Sequence, residues 1–320
     1  MNATSQIYSN VKVLDCTLRD GGLVNNFFFN DNFVKDLYLS NIKSGVDYME
    51  FGYKASKSLF DIDKFGKWKF CNDEDIIKIV DDKYSDMKIS VMADVGRTDY
   101  KKDIIDKKDS AVDLIRIATY IDTISDAVKM IKYCKDKGYE TSVNLMSISN
   151  VCKNTLKDAL NILSQSPVDM IYIVDSYGSL YPEQIEILSK IYLEYAYKYN
   201  KHIGIHTHNN LQLAFANTIK AVSMGVDYID ATVNSLGRGA GNCPLELILG
   251  FLNNSKYDIT PTLSFIEKNM VKMKSSGLKW GYDIPYILSG ILNKHPSSAI
   301  QFLKEDRKNY SIFYDELKKE

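Results

Sequence analysis

Along the chain, short apolar runs alternate with longer stretches whose apolar residues recur every three to four positions. The first run, 11–16 (Val-Lys-Val-Leu-Asp-Cys), predicts a strand. Thr17-Leu18-Arg19-Asp20-Gly21-Gly22 follows it and reads as a turn. A helical pattern then opens with Asp31 or Asn32 as N-cap and stops at Gly45. Further strands are predicted at 46–51, 89–93, 114–118, 142–146, 170–174, 202–207 and 228–233. Between them the clearest helices are 123–137, 182–199 and 211–224. Gly138 and Gly225 stand just past helix ends, where a left-handed residue is favoured.

Eight strands, each followed by a helix candidate, imply parallel strands joined by right-handed crossovers. At about 30 residues per unit this is the size of a TIM (β/α)8 barrel. A doubly wound open sheet competes, but no GxGxxG follows the first strand to support it through dinucleotide binding. The alternation then stops. The expected organisation is a catalytic barrel over 1–252 and a helical C-terminal segment over 253–320. Helices at 261–276 and 284–293 would pack on the barrel or on a second subunit.

Composition narrows the function classes. Apolar and charged contents of 45% and 25% are those of an ordinary soluble globular chain. A formal net charge of −1 gives no global field for nucleic acid or an anionic membrane. No apolar run approaches the roughly 20 residues that span a bilayer. Met1–Asn10 is polar and lacks a signal-peptide layout. The five cysteines are scattered without CxxC spacing, as reduced thiols in a cytoplasm would be. The expectation is a cytoplasmic protein with a homodimer as the default assembly.

In a barrel of this kind the chemistry lies where strands meet their following loops. Those positions hold Arg19 and Asp20, Glu50, Asp94, Arg116 and Thr119, Asn144, Asp175 and Ser176, then His206 and His208. Ser235-Leu-Gly-Arg-Gly-Ala-Gly-Asn242 follows the last strand. So many polar groups are costly to bury unless paired or metal-bound. His206 and His208, two of only four histidines, point to one side of an extended strand. Neutral imidazole is a common ligand for divalent metals, and the alternative is a satisfied or surface pair. Asp20 is the natural third ligand, and the Asn242 amide oxygen a fourth. This N/O set suits Mg²⁺, Mn²⁺, Zn²⁺, Co²⁺ or Fe²⁺. Arg19 reads as a fixed cation beside the metal, as a partner of Glu50 or Asp94, or as both. A metal and an arginine together stabilise a developing enolate or oxyanion. Asp175 reads either as a substrate contact or as a group orienting a histidine.

Leu18-Arg19-Asp20-Gly21, Glu50, His206-Thr207-His208 and Gly241-Asn242-Cys243-Pro244-Leu245-Glu246, in that order across the barrel, resemble the DRE-TIM metallolyases. That superfamily holds 3-hydroxy-3-methylglutaryl-CoA lyase, 2-isopropylmalate synthase and 4-hydroxy-2-oxovalerate aldolase. Leu114-Ile-Arg-Ile-Ala118, Tyr172-Ile-Val-Asp-Ser176 and Gly281-Tyr282 in the tail are most similar to the aldolase branch. The resemblance implies a divalent metal, Mn²⁺ or Mg²⁺ before Zn²⁺ or Co²⁺, held by Asp20, His206 and His208 with Asn242 nearby. A 2-oxo acid would chelate it, and a pyruvate-type enolate would form as the C–C bond breaks. Arg19, Glu50 and Tyr282 are the implied catalytic residues. Arg116, Asn144, Asp175 and Ser176 are the candidate substrate contacts. Relatives in the aldolase branch often pair with a dehydrogenase that consumes the aldehyde, so a partner enzyme is a further expectation.

One position departs from the family. Its aldolases carry a catalytic histidine two residues after the Asp-Gly pair, and here Leu23 stands there, in Gly21-Gly-Leu-Val-Asn-Asn26. Leucine moves no proton, so Tyr282, Tyr53 or a metal-bound water must serve, or the reaction differs. This variant resembles a divergent aldolase-domain group. The 54–69 loop, with five lysines, Phe65 and Trp68, reads as solvated, with a face toward an anionic substrate as the second reading. His295 either closes over the site from the tail or is a surface histidine before Pro296. Cys243 reads as a buried thiol, His202 as structural, and the tyrosines of 192–199 as core and interface. Three rival functions are weighed. One is a Claisen-type acyl-CoA transferase like the isopropylmalate synthases, which carry a longer C-terminal regulatory region than this sequence holds. The others are a two-His, one-carboxylate Fe(II) oxygenase and a barrel that binds metal and ligand without turnover.

Overall fold

The computed structural model describes residues 8, 10–80, 86–252 and 254–320, so most of the polar Met1–Asn10 stretch lies outside the described residues. Eight parallel strands close into a barrel in chain order: β1 (Lys12–Asp15), β2 (Tyr48–Tyr53), β3 (Lys88–Asp94), β4 (Leu114–Thr119), β5 (Glu140–Leu145), β6 (Met170–Asp175), β7 (His202–Thr207) and β8 (Tyr228–Ala231). β8 returns to β1 in register Lys12↔Tyr228 to Asp15↔Ala231. The fold is the expected TIM barrel with a helical C-terminal region.

Strand parity divides the core. On β6, Ile171 and Ile173 face outward to the helices, while Met170, Tyr172 and Val174 face inward with Leu14, Cys16, Tyr48 and Leu114. On the helix Ile124–Asp136, Ala127, Met130, Ile131 and Cys134 recur at helical spacing and are all buried against the sheet. Burying one such Met or Ile side chain contributes about 1.5–3 kcal/mol.

Three local departures have physical causes. The stretch expected as a turn is a helix, Thr17–Asn25. Its two glycines disfavour helix by about 1 kcal/mol each, yet they are there for close packing. A Cβ on Gly21 would lie 2.4 Å from Leu236 Cδ2, and one on Gly22 would lie 2.1 Å from Phe27 Cδ1. β2 runs two residues past its expected end because its register against β3 shifts between Glu50 and Tyr53. The helix expected from 211 starts at Ala214, whose N–H donates to Asn209 Oδ1 (3.1 Å), and Gln212 before it is left-handed (φ 59°).

After the barrel, Thr260–Phe265, a π turn at Ile266–Met270 and Val271–Ser275 run as one helix. Ile284–Ile291, Ser297–Lys304 and Tyr310–Leu317 follow, the last two without a helical reading in the sequence. This tail returns to the rim of the barrel. Trp280 Nε1 donates to Asn234 O (3.0 Å) and Gly281 N to Gly239 O (3.0 Å). Asn293 Oδ1 accepts from Ser149 Oγ (2.8 Å) and Ser179 Oγ (2.6 Å). Among the described residues, no helix is long and apolar enough to cross a membrane.

Candidate active site

The helix that follows β1 starts at once, so Arg19 and Asp20 lie on its first turn, directly above the barrel mouth. Both are buried, at 5% and 0% exposure. β7 ends in the two histidines, whose rings meet edge to face at 4.9 Å. The loop after β8 is zipped onto the end of β7: Asn209 N donates to Gly241 O (2.8 Å), Cys243 N donates to Thr207 O (3.2 Å), and His208 bridges to Asn242. That pairing carries the Asn242 side chain to Asp20, where its amide N–H donates to the carboxylate.

Asp20, His206 and His208 offer ligand atoms that all lie within 4.8 Å of one another. Each imidazole is oriented through its other nitrogen. His206 Nδ1 is 2.9 Å from Asp230 Oδ2, and His208 Nδ1 is 2.9 Å from the backbone oxygen of Asp175. Among the described residues, His206 Nε2 and Asn242 Oδ1 are buried with no hydrogen-bond partner, and His206 Nε2 lies 3.3 Å from Asp20 Oδ2. A buried orphan nitrogen and a buried orphan oxygen beside a carboxylate are what a divalent cation would satisfy. Protonation states agree. Burial works against the Asp20 charge, but Arg19, His206 and His208 outweigh it and hold the carboxyl at about 2. Burial, then the His206 charge, pushes His208 down to about 3, so it stays neutral. Cys16, His206 and Asp230 also cluster. That set is spent: the Asp230 carboxylate is bonded to Arg116 and His206, and burial holds the Cys16 thiol well above its ordinary range.

A chain of buried charges runs under the site. Arg19 Nη1 pairs with Asp20 and its Nε with Glu50 Oε2 (2.9 Å). Glu50 Oε2 also accepts from Arg116 Nη1 (3.0 Å), and Arg116 Nη2 donates to Asp230, which holds His206. Of the partners read from the sequence, Arg19 takes Glu50 rather than Asp94, and it also lies against Asp20. The Arg116 guanidinium lies 4.5 Å from the Tyr172 ring centroid and is fully buried.

Arg19, Asp20, Asn144, Ser176, His206 and His208 line one cavity of about 350 Å³ at the barrel mouth, large enough for a small organic acid. Glu50 and Arg116 are buried in the barrel interior outside that lining, and Asp175, on the outward parity of β6, is outside it too. Asp175 orients His208 through its carbonyl, while its carboxylate accepts from Ser179 N (3.0 Å) and Leu180 N (3.3 Å). Burial pushes that carboxyl up to about 6. Tyr282 is 66% exposed and outside the lining, whereas Tyr53, Leu23 and His295 are in it. Burial pushes His295 down to about 4. Cys243 is a buried thiol pushed up to about 12, as read.

Three groups were missed, while Asp94, read among the strand-end positions, does line the cavity. Asp230 lies on the inward parity of β8, below the strand end. Arg238 sits in the Gly-rich loop, lines the cavity, and its Nε is buried with no hydrogen-bond partner among the described residues. Lys69 corrects the solvated reading of the 54–69 loop. Lys57 and Lys64 are exposed, but Lys54 is buried against Asp73 (2.6 Å) and Lys69 is buried in the cavity wall.

A closed parallel barrel carrying Arg-Asp after its first strand and His-x-His on its seventh defines a class of carbon–carbon lyases and aldolases. The chain belongs to the HMGL-like family, whose model matches residues 10–268. It is 25% identical over 249 residues to 4-hydroxy-2-oxovalerate aldolase of Bacillus cereus, covering 78% of this chain and 71% of the relative. It is 28% identical over 254 residues to 4-hydroxy-2-oxovalerate aldolase of Pelotomaculum thermopropionicum, covering 78% and 72%. The crystal structure of the N-terminal domain of a candidate aldolase from Bacteroides vulgatus superposes with a TM-score of 0.77 at 30% identity, over 92% of this chain and 96% of that one.

Proposed function

We propose that this enzyme makes or breaks the C3–C4 bond of a 4-hydroxy-2-oxo acid through a pyruvate-type enolate. The observation that carries the reading is the convergence of Asp20, His206 and His208 with the orphan Asn242 oxygen, beside Arg19. These four side chains would hold a divalent cation, Mn²⁺ or Mg²⁺ before Zn²⁺ or Co²⁺, which when bound supplies Lewis-acid polarisation of the keto group.

The chain's own residues do the rest. Arg19 is fixed through Nε and Nη1, so its remaining N–H groups form a preset donor for the enolate oxygen. Arg238, whose Nε is buried with no hydrogen-bond partner and which has no ion pair among the described residues, stands on the β7–β8 flank, suited to the carboxylate of the 2-oxo acid. Ser176 and Asn144 border the same space, whereas Arg116 and Glu50 act by holding Arg19 and His206 in place. Tyr53 takes the proton-donor role that Leu23 cannot fill. Burial raises its pKa, partly offset by Arg19, so the phenol keeps its proton at neutral pH and can donate it to the carbonyl oxygen of the aldehyde as the bond forms. Its place in the lining favours it over exposed Tyr282.

The test is proton NMR of pyruvate in D₂O with Mg²⁺, Co²⁺, Zn²⁺ or chemically quenched Mn²⁺, against a chelated sample and His206→Ala. Cation-dependent loss of the methyl signal, absent in the variant, is the expected result. Loss under no cation would sink the enolate reading. Tight pyruvate binding without exchange would instead support the binding-only barrel that Leu23 suggests.

A further inference from the structure

Lys69 closes the Lys67–Lys69 turn after β2, and Gly52 lets that turn lie flat against the strand. A Cβ on Gly52 would sit 2.0 Å from the Trp68 carbonyl oxygen. Lys69 is only 7% exposed, yet its ammonium has no hydrogen-bond or ion-pair partner among the described residues. Rings surround it instead. Nζ lies 4.3 Å from the Phe60 centroid, 4.4 Å from Tyr53 and 5.0 Å from Phe27. Ring faces hold a cation without neutralising it. Asp94, whose charge acts on Lys69, also has Arg97 Nη1 4.0 Å away, and burial pushes that carboxyl up. Burial also lowers the Lys69 pKa, which the Asp94 charge opposes.

A buried ammonium with no carboxylate in contact among the described residues is costly, and this one opens onto the cavity that holds Arg19 and Asp20. Its place is the β2–β3 flank, beside Tyr53 and opposite the histidines and Arg238. On the aldolase reading, on which this inference rests, that flank receives the aldehyde. We infer that Lys69 binds a second acidic group, a carboxylate or phosphate carried by the aldehyde partner, so that the full substrate is a doubly acidic 4-hydroxy-2-oxo acid. In the forming direction, the enolate carbon attacks the aldehyde carbon, the C=O electron pair moves to oxygen, and Tyr53 supplies its proton. Lys69 exchanges none. A neutral aldehyde leaves the ammonium buried and unmatched, which is the arrangement that gives strong discrimination.

The test measures kcat/KM for aldol addition of pyruvate by the cation-loaded enzyme to matched aldehydes. Succinic semialdehyde is compared with butanal, and glycolaldehyde phosphate with glycolaldehyde. The expected result is a preference of at least about 100-fold for one acidic partner over its neutral match. Which pair shows it tells carboxylate from phosphate. In Lys69→Met the ratio should fall to within about threefold of one, with turnover of the neutral aldehyde reporting that the fold survives. Lys69→Arg should keep at least about a tenth of the preference, which a proton-transferring lysine would not allow. Equal use of both members of each pair, or a preference that persists in Lys69→Met, overturns the proposal. If pyruvate shows no exchange, the aldolase reading has failed, and the subsite is decided by calorimetry with succinate and inorganic phosphate. Binding weakened at least tenfold by Lys69→Met then supports it, and absent or equal binding overturns it.

Discussion

Arg116→Met isolates the buried charge chain from the chemistry above it. Arg116 is fully buried and is bonded to Glu50 and Asp230, which are 0% and 1% exposed. Methionine fills much of the space but leaves two buried carboxylates each short of a cation, Glu50 with only Arg19 and Asp230 with only His206 among the described residues. Removing one partner of a buried ion pair costs about 3–5 kcal/mol, and two carboxylates depend on this one. Against the roughly 5–15 kcal/mol that separates folded from unfolded domains, the upper end of that range should appear. Urea unfolding of the chelated protein should show the loss, with a melting temperature lowered by on the order of 10 °C. The cause is separable from lost packing. Adding Glu50→Gln and Asp230→Asn to Arg116→Met removes the stranded charges, and the triple variant should recover to within about 2 kcal/mol of the parent. A loss under about 1 kcal/mol in Arg116→Met would refute the argument. So would a triple variant as unstable as the single one, because the deficit would then lie in packing against Tyr172.

His208→Ala should fold but bind Mn²⁺ at least about 100-fold more weakly, beyond the 10–100-fold typical of groups that only orient a ligand. Paramagnetic titration reads this without turnover. Gly52→Ala forces a Cβ to within 2.0 Å of a carbonyl at a φ of +155°, and should cost on the order of 3 kcal/mol in thermal or urea unfolding. It should also spoil the ring box around Lys69. Asp15 gives a pH signature: burial raises its carboxyl from 3.8 to about 6. A raised folded pKa means that its contribution is fully present below about pH 4 and is lost as the pH climbs through 6. About two units correspond to about 3 kcal/mol. Asp15→Asn should therefore flatten the fall in stability between pH 4 and 7, and an unchanged slope would show that Asp15 is not the source.

The barrel was legible because each strand is a short apolar run and each helix carries a 3.6-residue stripe, and those two periods do not imitate each other. The convergence of Asp20, His206 and His208 was legible for a narrower reason: the two histidines share a strand face, and Asp20 stands just past β1. Depth was not legible. Barrel strands are staggered, so equal distances from a strand end do not mean equal height. Arg116 and Glu50, read as substrate-level groups, lie one layer down. Asp230 escaped notice because it stands below the end of its strand rather than beyond it. Lys69 was hidden for another reason. A lysine in a polar loop looks solvated until Gly52 and the β2 bulge bring the loop back over the barrel. Gly21 and Gly22 misled in the opposite sense, since glycines needed for contact look in sequence like glycines needed for a turn.

The tail's attachment to the rim bears on the order in which the enzyme assembles. Every barrel strand is complete by Ala231, yet His295 in the cavity wall and the anchors at Trp280, Gly281 and Asn293 come later in the chain. At about 5–20 residues per second, the ribosome needs several seconds to go from β8 to Asn293. A barrel that closed before then would leave that part of the cavity wall open to water, which weakens electrostatic effects in the site. Solvent exclusion is thus a late event in the life of the molecule. On the proposed function, a nascent barrel could take up a cation before it could protect an enolate, so reactivity would arrive only once the last part of the wall is in place.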